Sequence, residues 1–353
     1  MAHQSNLARV NSTFLPSLVL MPLFSKPIAA KRALTEANLS ISDINGIAFT
    51  RGPGIGCCLA ASLNAAKTLA AVHSLPVVGV HHMQAHALTA LLTTPTHTPS
   101  GEINSSYPIF PYLTLLVSGG HTQIVLAKSL TSFRILATTV DESIGRAFDK
   151  VSRKLKIEWA GMSPGSALEK FCLLPEESVY PEGYIPFTSP MPRRLAFSYA
   201  AFHSHVDRIL ESVGGIEKLT TANKLAIARA FQRAAFEHLE KKLDLVLEQC
   251  AQQDIKVGHL VIGGGVASNM FLRERLEKCL ADTPTGEVIK AVFPPAQFCT
   301  DNAAMIGWAS MHRFLAGDHD DYSINPRSKW SIEDLETVSH QPAIGDATSV
   351  FYE

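Results

Sequence analysis

The sequence predicts an α/β fold organised as two lobes, on three observations. Short apolar runs ending in glycine alternate with stretches of helical periodicity along most of the chain. Near residue 112 three consecutive strand-like runs joined by short turns interrupt that alternation, which then resumes. The length of 353 residues, 46% hydrophobic and 18% charged, suits two domains with sizeable cores and excludes a disordered or fibrous chain.

In chain order, residues 46–50 read as a buried strand, and the turn Arg51-Gly52-Pro53-Gly54-Ile55-Gly56 leads into an alanine-rich helix over 58–72. Residues 76–80 form the next strand, and a short helix begins near His82. The polar stretch 93–107, rich in Pro, Thr and Ser, reads as an exposed loop. Strands follow at 112–117, 122–127 and 133–139, the first pair joined by Ser118-Gly119-Gly120-His121. Helices are expected at 145–155 and 164–172. A long amphipathic helix over 221–250 aligns Phe236, Leu239, Leu243 and Val246. A strand at 259–262, the loop Gly263-Gly264-Gly265, a helix at 268–280, a strand at 288–293 and a helix at 301–314 complete the pattern.

Three antiparallel strands followed by helix–strand units open each half of the actin-like ATPase superfold around a nucleotide cleft. The expected division is lobe one at 1–110 plus 300–335, lobe two at 111–299, and a tail at 336–353. Lobe one lacks the same opening before residue 46, so its first hairpin is expected to be missing.

The net charge of −1 means that any nucleic-acid contact must come from local basic patches. Six cysteines contain no CxxC pair, which argues against a zinc ribbon or a thioredoxin-type motif and suits reduced thiols in an intracellular compartment. The longest apolar run, residues 14–24, carries Pro16 and Pro22 and falls short of the roughly twenty residues a membrane span needs. Residues 1–35 contain no acidic residue but do contain Arg9, Lys26, Lys31 and Arg32. That leader resembles a mitochondrial transit peptide as much as an ordinary helical segment.

His82-Met83-Gln84-Ala85-His86 places two imidazoles one helical turn apart, a spacing that lets both reach one divalent ion. Met83 stands where a zinc protease carries its catalytic glutamate and cannot act as a base, which argues against proteolysis of that type. Asp301 is the best candidate for a third ligand, while the sequence by itself favours capping of the last helix as its role, and the two can coexist. Three glycine-rich turns follow strands, at 52–56, 118–120 and 263–269, and suit a nucleotide cleft without matching a P-loop. Arg146, Lys150, Arg153, Lys154 and Lys156 give one helix a basic face, and Arg193, Arg194 and Arg208 cluster further on. Each group is either a solvated surface or a phosphate contact.

On these residues the chain resembles the tRNA threonylcarbamoyladenosine transferases, formerly described as O-sialoglycoprotein endopeptidases. The matching segments are GPGIG at 52–56, HHMQAH at 81–86, LVSGGHT at 116–122, AFDK at 147–150, PGSALE at 164–169, AFSYAAF at 196–202, GGGVASN at 263–269 and CTDNAAMIGW at 299–308. They occur in family order and cover residues 33–334. HHMQAHALT and RSKWSIEDL are most similar to the mitochondrial branch, which implies a mitochondrial location, with the cytoplasm as the alternative.

The resemblance implies transfer of threonylcarbamoyl from threonylcarbamoyl-AMP, made by a separate synthase, to the adenosine 3′ of the anticodon in tRNAs reading ANN codons. It implies one divalent metal ion, zinc or iron, on His82, His86 and Asp301. The adenylate would be touched by Leu116, Val117, Ser118, Gly119, Gly120, Asp149, Gly165 and Asn269, with Glu169 as a ribose contact and Gly263, Gly264 and Gly265 as a cleft loop. Candidate tRNA contacts are Arg146, Lys150, Arg153, Arg193 and Arg194. No catalytic side chain or general base is assigned. The archaeal and cytosolic tyrosine ligand is replaced by Leu116, as in the bacterial branch. A homodimer is a candidate assembly, and no membrane association is expected. The family's opening I-E-T-S-C-D type strand has no match here, which implies reduced stability or activity for the chain as it stands. The rival expectations are a kinase or ATPase of the same superfold, or a non-enzymatic tRNA-binding scaffold.

Overall fold

A computed structural model describes residues 26–281 and 288–338. The expectations for the leader, for a missing first hairpin and for most of the tail fall on residues outside the described ones. The chain divides into two compact units. The first runs to Tyr107, includes Ala127–Arg134 and resumes at Pro294; the second comprises Pro108–Leu126 and Ile135–Phe293.

In the first unit, helix α1 (Lys26–Ala37) precedes strand β1 (Ile47–Gly52). β1 pairs in parallel with β2 (Val77–His81), from Ile47 opposite Val77 to Thr50 opposite Val80. Parallel neighbours need a crossover, and α2 (Gly56–Val72) supplies it, burying Leu59, Leu63, Ala66 and Ala70 along one face. Phe49, Leu63, Ala66, Ala70, Val77 and Ile324 form the core beneath it. Helix α3 (His82–Thr93) starts directly after the last residue of β2 and is buried without a break from Met83 to Leu91. A helix buried all round belongs to an interior, so any polar side chain on it needs an internal partner.

The second unit holds a six-stranded mixed sheet in the order β6-β5-β4-β3-β7-β8. The expected strands β3 (Tyr112–Val117), β4 (Thr122–Ala127) and β5 (Phe133–Thr139) form at the predicted residues. β7 (His259–Gly263) runs parallel to β3, with Leu116 opposite Gly263, and to β8 (Lys290–Val292). Helices α4 (Ile144–Lys154) and α5 (Pro164–Cys172) follow β5, and Ser163 with Pro164 at the first turn fixes the start of α5. Two elements were not expected from the sequence: β6 (Ala196–Phe197), which pairs with β5, and helix α6 (Ala200–Ser212). α6 buries Phe202, His205, Val206 and Ile209 at helical spacing, a stripe diluted in the sequence by two histidines.

Thr220 and Asn223 form a capping box that opens α7 (Thr221–Gln252). Its stripe extends the predicted one: Phe231, Phe236, Leu239, Leu243 and Val246 are all fully buried, and Phe231 lies 4.9 Å from the ring of Phe148 on α4. Helix α8 (Met270–Ala281) starts two residues later than expected because a 3-10 turn occupies Gly265–Ser268. A short helix α9 (Ala296–Cys299) precedes α10 (Ala303–Leu315). All six cysteines are free. Among the described residues no helix is long and apolar enough to cross a membrane.

His238 lies at the aromatic centre of the second unit, with the rings of Tyr199 at 5.5 Å and Phe202 at 5.6 Å. Its Nε2 accepts from Ser198 N at 3.3 Å, so Nδ1–H is the donor towards Ser189 Oγ at 3.1 Å. Burial first, then the charges of Lys242 and Lys241, lower this imidazole from 6.5 to about 4. The unfolded chain therefore takes up a proton here, as pH falls from 6.5 to 4, that the folded chain refuses. Stability present above pH 6.5 is lost through that window, by about 3 kcal/mol at its lower end from this residue alone. Urea unfolding across pH 4–7 should show the decline, and His238→Gln should flatten it by about that amount; an unchanged slope in the variant contradicts the assignment.

Candidate functional site

His81 closes β2 and caps α3: its Nδ1 accepts from the backbone N–H of Met83 at 3.2 Å and of Gln84 at 3.4 Å. That leaves Nε2–H to donate to the carbonyl of Trp330 at 3.2 Å. The ring of Trp330 stands edge-on to His81 at 4.6 Å and carries the guanidinium groups of Arg51 and Arg327 at 5.6 and 5.0 Å. One side chain thus caps α3 and anchors its first turn. This role of His81 is not apparent from the sequence, although the residue adjoins the His82–His86 pair.

Held this way, α3 points His82 and His86 to one place. Their rings are perpendicular with centroids 4.8 Å apart. His82 Nε2 lies 3.1 Å and His86 Nε2 3.0 Å from the same oxygen, Asp301 Oδ1. The three potential ligand atoms lie within 4.8 Å of one another. His86 is buried, His82 is 16% exposed and Asp301 39% exposed, so the cluster opens to solvent on the carboxylate side.

Asp301 does not cap the last helix. Asn302 does: its Oδ1 accepts from Met305 N at 2.9 Å, and its amide donates to the carbonyls of Phe298 and Thr300. The capping alternative for Asp301 is corrected accordingly, and α10 begins at Ala303. Both residues are good cap formers; with Asn302 capping, Asp301 is left to face the imidazoles.

The electrostatics suit cation ligation. Burial lowers the His86 imidazole, and the neighbouring His82 adds to the effect against the pull of Asp301, which keeps the ring neutral as a metal ligand must be. Burial raises Asp301, yet the hydrogen bonds from His82 and His86 outweigh it and hold the carboxylate far below its ordinary value. Two imidazole nitrogens and one carboxylate oxygen with an open side form a donor set used for both zinc and non-haem iron. His86 Nδ1 is buried with no partner among the described residues.

In the second unit the predicted adenylate residues lie on the β3–β4 turn, on α4 and α5, and at the start of α8. Leu116 and Val117 are fully buried, so only their backbone can face a ligand. Ser118 Oγ accepts from Gly120 N at 3.2 Å and His121 N at 3.0 Å, which shapes the turn. The N-terminus of α4 clasps it: Ser143 Oγ donates to Gly119 O at 2.7 Å, and Gly145 N to Ser118 O at 3.3 Å. From the β7 side, Gly264 adopts φ +98°, and a Cβ there would lie 2.3 Å from Val117 O. A side chain at Gly119 would meet nothing within 4 Å, so that turn borders open space.

Asp149 on α4 accepts from Gly165 N at 2.9 Å, joining α4 to α5. Glu169 on α5 accepts from Met270 N at 3.1 Å, and burial raises its carboxyl despite Met270 N and Arg273. Asn269 is buried and its Oδ1 accepts from Leu272 N at 3.0 Å, inside the first turn of α8. Gly263 and Gly265 flank Gly264 in the loop beneath the turn.

The basic face of α4 is largely neutralised. Lys150 pairs with Glu142 at 2.6 Å, Lys154 with Asp207, and Lys156 with Glu217, while Arg153 lies over Trp159 at 5.6 Å. Arg146, Arg193 and Arg194 are exposed.

Gly264→Ala should destabilise the chain by about 2–4 kcal/mol in chemical denaturation, from the left-handed backbone plus the clash with Val117 O. A loss below about 1 kcal/mol would show that this loop does not clamp the turn.

Residues 26–308 match a family model described as tRNA N6-adenosine threonylcarbamoyltransferase. A protein of Arabidopsis thaliana named as a probable mitochondrial tRNA N6-adenosine threonylcarbamoyltransferase is 34% identical over 323 residues, 85% of this chain and 62% of that protein. The mitochondrial enzyme of that name from Schizosaccharomyces pombe is 35% identical over 345 residues, 95% of this chain and 74% of its own length. The Bartonella henselae tRNA N6-adenosine threonylcarbamoyltransferase is 36% identical over 312 residues, covering 86% of this chain and 78% of the relative. The chain therefore spans less than two thirds of the Arabidopsis protein and about three quarters of the other two.

Proposed function

The chain belongs to the tRNA N6-adenosine threonylcarbamoyltransferase family, and from that premise we propose that it transfers threonylcarbamoyl from threonylcarbamoyl-AMP to the exocyclic amine of the adenosine 3′ of the anticodon in tRNAs reading ANN codons. The observation that carries the reading is the convergence of His82 Nε2 and His86 Nε2 on Asp301 Oδ1, within a chain matched by the family over residues 26–308.

The donor is a mixed anhydride, already activated, so no protein nucleophile is required. The amine lone pair forms a C–N bond to the carbamoyl carbon, the bond from that carbon to the phosphate oxygen breaks, and AMP leaves with the electron pair. The nitrogen then loses its proton to solvent.

His82, His86 and Asp301 would hold one divalent ion, zinc or iron, which when bound grips the threonylcarbamoyl group and polarises its carbonyl. The burial that keeps His86 neutral and the hydrogen bonds that keep Asp301 ionised prepare the chain's own part of that site. Backbone N–H groups of Ser118, Gly119 and Gly120 and of the Gly263–Gly265 loop would hold the adenylate and oppose the charge that develops on it. Asp149, Gly165 and Asn269 fix the surrounding helix ends, and Glu169 would accept from a ribose hydroxyl. A separate synthase supplies the adenylate, a homodimer is the proposed assembly, and the likeness to mitochondrial relatives supports a mitochondrial location.

The test is transfer of labelled threonylcarbamoyl to unmodified tRNA by the purified chain supplied with the adenylate. The expected outcome is incorporation that falls at least about 100-fold in His82→Ala and His86→Ala, with melting curves retained. Undiminished transfer in both variants would overturn the metal assignment, and no transfer by the unaltered chain would overturn the reading.

A further inference from the structure

The loop before β6 and the middle of α7 border a half-open cavity of about 360 Å³ lined by Ser189, Pro192, Arg193, Lys241, Lys242, Asp244 and Leu245. It shares no residue with the adenylate loops. Lys242 is 2% exposed, and its ammonium donates to Met191 O. That carbonyl takes one of three N–H donors, and the carbonyl also receives Arg194 N at 3.4 Å. Among the described residues Lys242 makes no ion pair with a carboxylate. A buried ammonium with one neutral acceptor is a cost that proteins normally avoid by pairing.

The other lining groups have the same sense. Lys241 and Arg193 stand exposed at the rim. Ser189 Oγ accepts from His238 Nδ1–H, which leaves its own hydroxyl proton to donate. Asp244, the one acid, accepts from Cys279 Sγ at 3.5 Å. Three cations against one carboxylate leave a surplus of positive charge in a molecule whose net charge is −1. The loop is held in a strained form: Met191 has φ 48° and Arg193 φ 60°, left-handed conformations that side chains adopt when the surroundings enforce them. The first places a carbonyl on Lys242, and the second turns the chain at the guanidinium. Burial, then Lys241, makes the Lys242 ammonium easier to discharge, the response of a cation without a counter-charge.

We propose that this cavity is a phosphate-binding subsite, formed by Lys242, Lys241, Arg193 and the Ser189 hydroxyl, that takes one phosphodiester of the tRNA backbone. The proposal rests on the tRNA reading above and deepens it, because it names where a backbone phosphate is held. It also separates Arg193 from the neutralised lysines of α4 as a tRNA contact.

The test is the salt dependence of unmodified tRNA binding to the full chain between 50 and 200 mM salt. Each phosphate contact contributes roughly 0.7–0.9 to the slope of log affinity against log salt. Arg193→Gln, Lys241→Gln and Lys242→Met, the last keeping the buried apolar stem, are each expected to weaken tRNA about 3–10-fold and to lower the slope by up to one contact's worth. Binding of the adenylate should not change. If Lys242→Met fails to fold, the two exposed positions carry the test. Variants that keep the unaltered affinity and slope overturn the subsite and leave the family reading standing. Failure of the unaltered chain to bind tRNA at all overturns both. Inorganic phosphate bound at this cavity with the tRNA slope unaffected by the variants would make it a free-anion site and also defeat the proposal.

Discussion

Two imidazoles from one turn of α3 meet one carboxylate oxygen, and much of the first unit exists to make that meeting possible. His82 and His86 sit on a helix that is buried from Met83 to Leu91, where an unpartnered ring nitrogen is costly. Asp301 gives both Nε2 atoms an acceptor. The helix in turn is placed by the parallel pair β1–β2, because it begins where β2 ends. His81 fixes its first turn from one side and the Trp330 segment from the other. Asn302 relieves Asp301 of capping α10. Local helix chemistry and the His82–His86–Asp301 cluster are therefore one arrangement, since the caps of α3 and α10 adjoin its members.

The second unit solves a different problem, the rigid presentation of open backbone. A glycine turn bordered by empty space would be floppy on its own. Here Ser118 ties it internally, Ser143 and Gly145 clasp it from α4, and Gly264 packs against Val117 O. Only glycine fits at Gly264, since the backbone is left-handed and a Cβ would overlap the carbonyl. Glu169 and Asn269 extend the same bracing to α5 and α8. Preorganised donors of this kind suit a ligand whose charge changes during reaction.

Much of this was legible in the sequence where the determinants are local. The strands at 112–117, 122–127 and 133–139 were set by apolar runs with short polar turns between them, and α5 by Ser163-Pro164. That His82 and His86 face the same way followed from their spacing of four residues. What was illegible depends on partners far along the chain. Asp301 reads as the cap of the last helix until Asn302 is found in that place and the carboxylate facing two distant histidines. His81 matters through a carbonyl 249 residues away. The basic residues at 146–156 read as free charge because Asp207 and Glu217, which pair with Lys154 and Lys156, belong to segments over fifty residues on. α6 escaped because its apolar positions are interleaved with His203, Ser204, His205 and Asp207.

The central claim is that His82, His86 and Asp301 are ligands and not a self-satisfied hydrogen-bond cluster. X-ray absorption at the metal edge, on the full chain dialysed against zinc or ferrous ion, addresses it most directly. The account predicts one ion per chain with two imidazole nitrogens bound, one imidazole lost in His86→Ala, and weaker occupancy in Asp301→Ala. Substoichiometric metal, or an imidazole count indifferent to His86→Ala, would contradict it.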